Sequence, residues 1–255
     1  MFQIASDLHI EKSELNDTFD TTKYIVPSAR NLILAGDIGT FYKYGQLYNF
    51  ISSLSTQFDT IIYVPGNHEY YRPRDKSYPR LSMHRIKNLA KSMMSKIRNL
   101  HILDNTTLRI GNFTVVGSTL WSDSSIETYI PKSLNNIVGL DLPTYREMYN
   151  SSVSFLTKEI SRCSERGERV IVVTHYSPSP TTIPNLMKLN LKNIINFYAS
   201  NVEYLFGDPV VCWISGHIHY NFDFTMSGTK LVSNQKGKLN DDVENFSLSC
   251  ILDIE

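Results

Sequence analysis

Cysteine is scarce in this chain: Cys163, Cys212 and Cys250 are the 3 present among 255 residues, and no two form a CxxC pair. An odd, widely spaced set argues against a disulfide framework and predicts a reducing compartment. An excess of charge of one sign is also missing. Lysine plus arginine and aspartate plus glutamate each number 25, for a formal net charge of zero. Such a chain has no global field to gather nucleic acid or an anionic membrane. No apolar run approaches the roughly 18 residues that a membrane-spanning helix needs. The opening MFQIASDLHI has no basic segment ahead of a long apolar stretch, the mark of a secretory signal. The expectation is a cytoplasmic protein with no membrane partner. Internal repeats, low-complexity tracts and Pro/Gly-rich linkers are absent as well, which predicts a single domain over residues 1–255.

What is present is a series of short, β-rich apolar runs. These are Phe2–Ala5, Leu32–Ala35, Thr60–Val64, Phe113–Val116, Val170–Val173 and Val210–Ile214, several of them nearly continuous in Ile and Val, as expected of strands buried on both faces. Between them, Gln46–Phe58, Leu81–Leu100 and Tyr145–Cys163 carry apolar residues at mixed three and four spacing, which predicts helices. The last third changes character. Phe222–Met226, Thr229–Val232 and Phe246–Ile251 read as strands, the first two joined at a Ser227–Gly228 hairpin. The predicted fold is α/β: a two-sheet β-sandwich flanked by helices. Two long irregular stretches, Ser122–Asp141 and Tyr176–Leu189, are candidates for the rim of a substrate site.

Chemistry-bearing residues follow the strands. FQIAS leads to Asp7 and His9, NLILAG to Asp37, TIIYVPG to Asn67 and His68, RVIVVT to His175, and VVCWISG to His217 and His219. Ligands gather at the carboxyl ends of strands in open α/β sheets, so five strand ends would deliver these groups to one edge. Residues two apart in extended chain share a side, which lets Asp7 face one site with His9, and His217 with His219. Five of the chain's 7 histidines lie in these segments; His84 and His101 read as ordinary residues. A mixed carboxylate, imidazole and amide set suits a borderline divalent metal better than calcium. It is too large for one tetrahedral zinc. Two divalent ions set against the carboxylates of Asp7 and Asp37 would leave positive charge over, suited to an anionic ester.

These segments resemble the calcineurin-like metallophosphoesterase superfamily, whose ordered pattern is DxH, GD, GNH(D/E), a lone His after a strand, and GHxH. Here they are Asp7-Leu8-His9, Gly36-Asp37, Gly66-Asn67-His68-Glu69, His175 and Gly216-His217-Ile218-His219. The segment from Tyr198 to Gly237 looks like the small, capless members. The resemblance implies a four-layer αββα fold and a binuclear centre. Asp7, His9 and His219 would hold one ion and Asn67, His175 and His217 the other, with Asp37 bridging. Manganese is the first expectation; iron, zinc, cobalt and nickel are the alternatives. It also implies in-line attack on phosphorus by a hydroxide held by the ions, with His68 as acid toward the leaving oxygen. Protein Ser/Thr phosphatases carry an Asp-Arg pair just after the GD aspartate, whereas Asp37 is followed by Ile-Gly-Thr-Phe-Tyr. That departure argues against phosphoprotein substrates. Which carboxylate orients His68 is not identified by the sequence; Glu69 is merely adjacent.

Four further residues are candidates for substrate contact: Tyr70, Tyr71 and Arg72 after the third motif, and Tyr176 after His175. The tyrosines could stack on a base and the arginine could hold a second phosphate. In a chain with 15 tyrosines, a solvated turn with the tyrosines packed on its flank is the readier explanation. The basic residues Arg85, Lys87, Lys91 and Lys96 read as a solvated helix face, while Lys230, Lys236 and Lys238 stay open. The expected partner is a small phosphate ester, possible nucleotides included. A nuclease using the same two metals on DNA or RNA is the alternative, disfavoured by the neutral charge. A non-catalytic binding scaffold is the other, disfavoured because every motif position is intact.

Overall fold

The computed structural model describes residues 1–13, 20–124, 131–185 and 195–254. Its first sheet contains β1 (Phe2–Ala5), β2 (Asn31–Leu34), β3 (Thr60–Tyr63), β4 (Leu100–Ile102) and the short β11 (Ile251–Leu252), in the order β11-β1-β2-β3-β4. Neighbours from β1 to β4 run parallel, and β11 pairs antiparallel with β1. The second sheet contains β5 (Thr106–Ile110), β6 (Phe113–Ser118), β7 (Arg169–Thr174), β8 (Val210–Ile214), β9 (Asp223–Met226) and β10 (Thr229–Val232), in the order β5-β6-β7-β8-β10-β9. Here the central strands are parallel, and antiparallel hairpin partners close both edges.

Alternation within the strands explains the layering. Ile33 of β2, Ile62 of β3 and Ile171 and Val173 of β7 point into a shared core between the sheets, with Cys212 and Ile214 of β8. Leu32, Leu34, Ile61 and Tyr63 point the other way, onto α1 (Tyr44–Ser55) and α2 (Met83–Met94). Val170, Val172 and Trp213 face α3 (Leu142–Glu165) on the far side. The result is the expected sandwich of two sheets between helices. Helix α3 starts earlier than its apolar period suggests, because the Asp141 side chain accepts the Thr144 N–H at 2.9 Å and Pro143 fits the first turn.

Three sequence expectations shift. The helix expected over Leu81–Leu100 stops at Met94; residues 95–99 form turns, and Leu100 opens β4. Strand β5 went unread because Thr106–Ile110 alternates polar and apolar as a half-exposed edge. The strand read over Phe246–Ile251 shrinks to β11. There Asn234 stands in for ladder bonds: its amide donates to Ile4 O and Ser247 O, each at 2.8 Å, and its carbonyl accepts Ser247 N–H at 2.9 Å. Of the two irregular stretches, residues 125–130 and 186–189 lie outside the described residues.

The packing between the sheets is tight at Gly117, where an added Cβ would lie 2.3 Å from Leu103 Cβ and 3.1 Å from Val64 Cγ2. Neither neighbour is the far end of a flexible chain. Gly117→Ala is expected to destabilise the fold by about 1–3 kcal/mol through overpacking, read as a lower urea midpoint with an unchanged slope.

Candidate metal centre

The parallel strands β1, β2, β3, β7 and β8 end at one edge, and the seven candidate ligands follow them there. His9 Nε2 lies 3.1 Å from His219 Nε2, and Asp7 Oδ1 lies 3.3 Å from His219 Nε2. On the other side, His175 Nε2 lies 3.1 Å from Asn67 Oδ1 and 3.3 Å from His217 Nδ1. Asp37 sits between the groups. Its Oδ1 is 3.3 Å from His175 Nε2, and its Oδ2 is 4.0 Å from His9 Nε2. One carboxylate oxygen therefore faces each cluster, an arrangement in which a single carboxylate can serve both. The donor groups Asp7–His9–His219 and Asp37–His175–His217 each fit around a single ion.

The second nitrogen of each ring is already committed. His175 Nδ1 donates to Ala35 O at 2.9 Å and His217 Nε2 donates to Phe197 O at 3.1 Å. His9 Nδ1 faces Glu11 Oε1 at 3.3 Å, and His219 Nδ1 faces Asp241 Oδ2 at 2.5 Å. With those tautomers fixed, four lone pairs point inward at one another. Two bare ring nitrogens about 3 Å apart repel unless a cation lies between them. Outer partners of this kind are what fix metal-binding histidines. Donors about 2.1 Å from a common ion lie roughly 3.0–3.4 Å apart at octahedral or tetrahedral angles, the separations seen here. The donor set fits two cations.

The electrostatics of the site favour a cation in the same place, with a proton as stand-in. Burial opposes a charged His175, yet the Asp37 carboxylate raises it to about 9. Burial and then the charge of His175 push His217 down to about 3. Asp37 is held well below the ordinary carboxylate range by His175 and His68, against its burial. One positive charge is thus retained between two imidazoles.

Backbone geometry is unusual at these positions. Asp7, His9, Asp37, His217 and His219 all have φ between 47° and 74°, a left-handed conformation that non-glycine residues adopt rarely. Such conformers persist where the surroundings over-determine them, and each of the five backbone N–H groups is tied. Asp7 N–H donates to Gly36 O at 2.9 Å, His9 N–H to Asp37 O at 3.0 Å and Asp37 N–H to Glu69 Oε2 at 3.0 Å. His217 N–H donates to Asp7 Oδ1 at 3.1 Å and His219 N–H to Gln235 Oε1 at 2.7 Å. At Gly66 a Cβ would meet Asp37 Oδ1 at 2.3 Å, so only glycine lets the two loops close.

Glu69 anchors this arrangement rather than orienting His68. Fully buried, it accepts N–H groups from Asp37, Ile38 at 2.8 Å and Gly66 at 2.6 Å, plus the Tyr63 hydroxyl at 2.6 Å. Burial and then the Asp37 charge push its carboxyl upward, yet all four of these partners donate to it, which holds it in the ionised form. The carboxylate facing His68 is Glu11: its Oε1 lies 3.3 Å from His68 Nδ1 and 3.3 Å from His9 Nδ1. Against its burial, those two hydrogen bonds bring Glu11 down to about 2. Sequence reasoning missed Glu11, although the spacing Asp7, His9, Glu11 hinted at it. Asp241 and Gln235, on a distant loop, gave no such signal.

The aromatic candidates divide. Tyr71 lines the cavity, its ring 4.3 Å from that of His68, and its hydroxyl accepts the Asn67 amide at 2.9 Å. Substrate contact does not hold for Tyr70, which is 2% exposed and packed on Phe41 and Trp121. Nor does it hold for Tyr176, which is fully buried with its ring 3.9 Å from His217. Both were misread because proximity in sequence says nothing about which way a ring turns. Arg72 donates to Tyr78 O through Nε at 2.9 Å and through Nη2 at 2.5 Å, so much of its guanidinium is engaged with the backbone. Above the ligands lies a cavity of about 690 Å³, with Ser133 and Pro184 from the two irregular stretches on its wall.

The calcineurin-like phosphoesterase profile matches residues 2–221, through the last of the ligand motifs. The chain belongs to the calcineurin-like phosphoesterase family. It is a metal-dependent hydrolase of phosphate esters. An uncharacterized protein of Acanthamoeba polyphaga mimivirus, L509, is 26% identical over 281 aligned positions covering 100% of this chain and 97% of that one. Among solved structures, the phosphopantetheinyl hydrolase of Mycobacterium tuberculosis shares the fold, with a TM-score of 0.67 at 17% identity over 92% of this chain and 89% of that one.

Two outcomes are expected. Glu69→Gln turns an amide NH₂ toward backbone donors and should cost about 1–3 kcal/mol in urea unfolding, with fewer than two metal ions retained per chain by elemental analysis. Asp241→Ala should weaken the His219 cluster about 10- to 100-fold in competitive chelator titration.

Proposed function

We propose that this phosphoesterase uses two divalent ions, held by Asp7, His9 and His219 on one side and Asn67, His175 and His217 on the other, bridged by Asp37. The observation carrying this reading is the convergence of four tautomer-fixed imidazoles on two carboxylates, with one Asp37 oxygen toward each cluster. Bound there, the ions supply Lewis-acid neutralisation of phosphoryl oxygens and make water acidic at neutral pH. Manganese heads the candidates for this mixed donor set, ahead of iron, zinc, cobalt or nickel. Free cysteines at 163, 212 and 250 support a reducing, cytoplasmic setting. Among the described residues, no helix is long and apolar enough to cross a membrane.

His68 is the proposed acid. Its Nδ1 is held by Glu11, and its backbone N–H donates to Asp37 Oδ1 at 2.8 Å. That leaves Nε2, 3.9 Å from Asp37 Oδ2, to hold the proton the leaving oxygen needs. Tyr71 packs along the ring and fixes its orientation. Burial lowers the proton affinity of His68, and Asp37 and Glu11 oppose that shift only in part, so the acid role needs the negative charge of a bound phosphate ester to favour the proton on Nε2. The cavity beside these groups is of small-molecule size, which supports a small or nucleotide-like ester over nucleic acid.

With Mn²⁺, the wild-type chain should hydrolyse bis-p-nitrophenyl phosphate or p-nitrophenyl phosphate, and chelator or Asp37→Asn should abolish the activity. The preferred ester distinguishes diesterase from monoesterase. His68→Ala should lower kcat by about 10²–10⁴-fold on an alkyl ester and by less on p-nitrophenyl esters, whose leaving group departs without a proton. Equal losses on both would remove His68 from the acid role.

A further inference from the structure

A second cavity of about 700 Å³ opens next to the first, and His68, Tyr71, Ser133 and Lys238 belong to the walls of both. Its lining is sharply unlike the chain as a whole. Lys12, Lys43, Arg72, Arg74, Lys132 and Lys238 surround it, with Glu11 as the one carboxylate. The complete chain has equal numbers of cationic and anionic side chains, so this is a local concentration of positive charge. Among the described residues, none of the six cations forms an ion pair with a carboxylate. Lys43 donates to Glu11 O at 2.9 Å and Arg72 to Tyr78 O, partners that orient a cation without neutralising it. Glu11 is turned toward the metal centre, its Oε1 3.3 Å from both His9 Nδ1 and His68 Nδ1. Lys238 has a carboxylate close by, Asp241; the concentration of the others draws a polyanion.

Position decides which part of the substrate carries that charge. His68 is on the wall that this cavity shares with the first, and a leaving oxygen must lie beside the group that protonates it. We propose that the second cavity binds a further phosphate or diphosphate on the leaving alcohol, making the substrate a small molecule with at least two phosphoryl groups. This rests on the phosphoesterase reading above and on His68 as its acid. The chemistry balances as a hydrolysis. Water forms a new O–P bond, the P–O bond to the alcohol breaks, and the proton passes to the alcohol oxygen. The alcohol departs with its own phosphate intact. The cavity volume falls within the roughly 300–1,000 Å³ of small-molecule sites, which favours a compact leaving group over a polymer.

Calorimetry on the metal-stripped, dialysed full chain tests the cavity without turnover. Inorganic tripolyphosphate should bind about tenfold more tightly than orthophosphate, and raised salt should weaken it. Arg74→Glu/Lys132→Glu, two exposed positions, should lose about tenfold in that affinity. The milder Arg74→Gln/Lys132→Gln should fall between if the reversal disturbs folding. Adenosine 3′,5′-bisphosphate should displace tripolyphosphate, and a single-stranded decanucleotide should not. With Mn²⁺, the ratio of kcat/KM for the bisphosphate to that for adenosine 5′-monophosphate should fall in the double variant. Affinity untouched by both variants overturns the polyanion site while leaving the phosphoesterase reading intact. Stronger displacement by the decanucleotide overturns the small substrate in favour of nucleic acid. Tight tripolyphosphate binding without turnover of any ester overturns the leaving-group assignment together with the proposed function.

Discussion

The arrangement at the sheet edge depends on one buried anion. Glu69 lies at the junction of the loops after β2 and β3, where its two oxygens gather backbone N–H groups from Asp37, Ile38 and Gly66 and the hydroxyl of Tyr63. A carboxylate out of contact with water is costly unless its lone pairs are filled. The chain meets that cost by bending two loops around it. The bend turns Asp37 into its left-handed conformation and presents one of its oxygens to each half of the centre. Asp37 then fixes the His68 backbone, so Glu69, Asp37 and His68 form a single connected unit.

A second layer of constraint comes from across the sandwich. The two sheets supply different ligands, β1 to β3 on one side and β7 and β8 on the other, so the centre forms only when the sheets are packed in register. The ring of His175 donates to Ala35 O, beyond the end of β2. The carboxylate of Asp7 accepts the backbone N–H of His217. These bonds cross between sheets at the site itself. The packed core behind them, including Ile33, Ile171 and Ile214, holds the ligands at separations that two ions satisfy.

Much of this was legible in the sequence because strands buried on both faces write long apolar runs, and ligands placed at their ends follow those runs directly. Phe2–Ala5, Val210–Ile214 and Thr229–Val232 were read to the residue. What escaped was written in weaker physics. An edge strand such as β5 lacks a continuous apolar signature, and the region before β11 is ordered by the side chain of Asn234 rather than by a ladder. In the site, the seven candidate ligands read from the motifs do come together. Their supports, Glu11, Asp241 and Gln235, are common polar residues whose roles exist only after folding. Tyr70 and Tyr176 were misplaced for the converse reason, since a motif fixes where the backbone goes and not which way a neighbouring ring points.

The left-handed ligands have a consequence for the chemical alphabet of the site. Apart from glycine, the residues that best tolerate this backbone region are asparagine, aspartate and histidine, and glycine offers no ligand atom. Cysteine and the longer glutamate, both competent donors elsewhere, lack that tolerance. At residues 7, 9, 37, 217 and 219 the backbone therefore filters the side chain before any metal does. The selection of oxygen and nitrogen over sulfur at these five positions, and with it the hardness of the centre, is inherited from the shape of the loops.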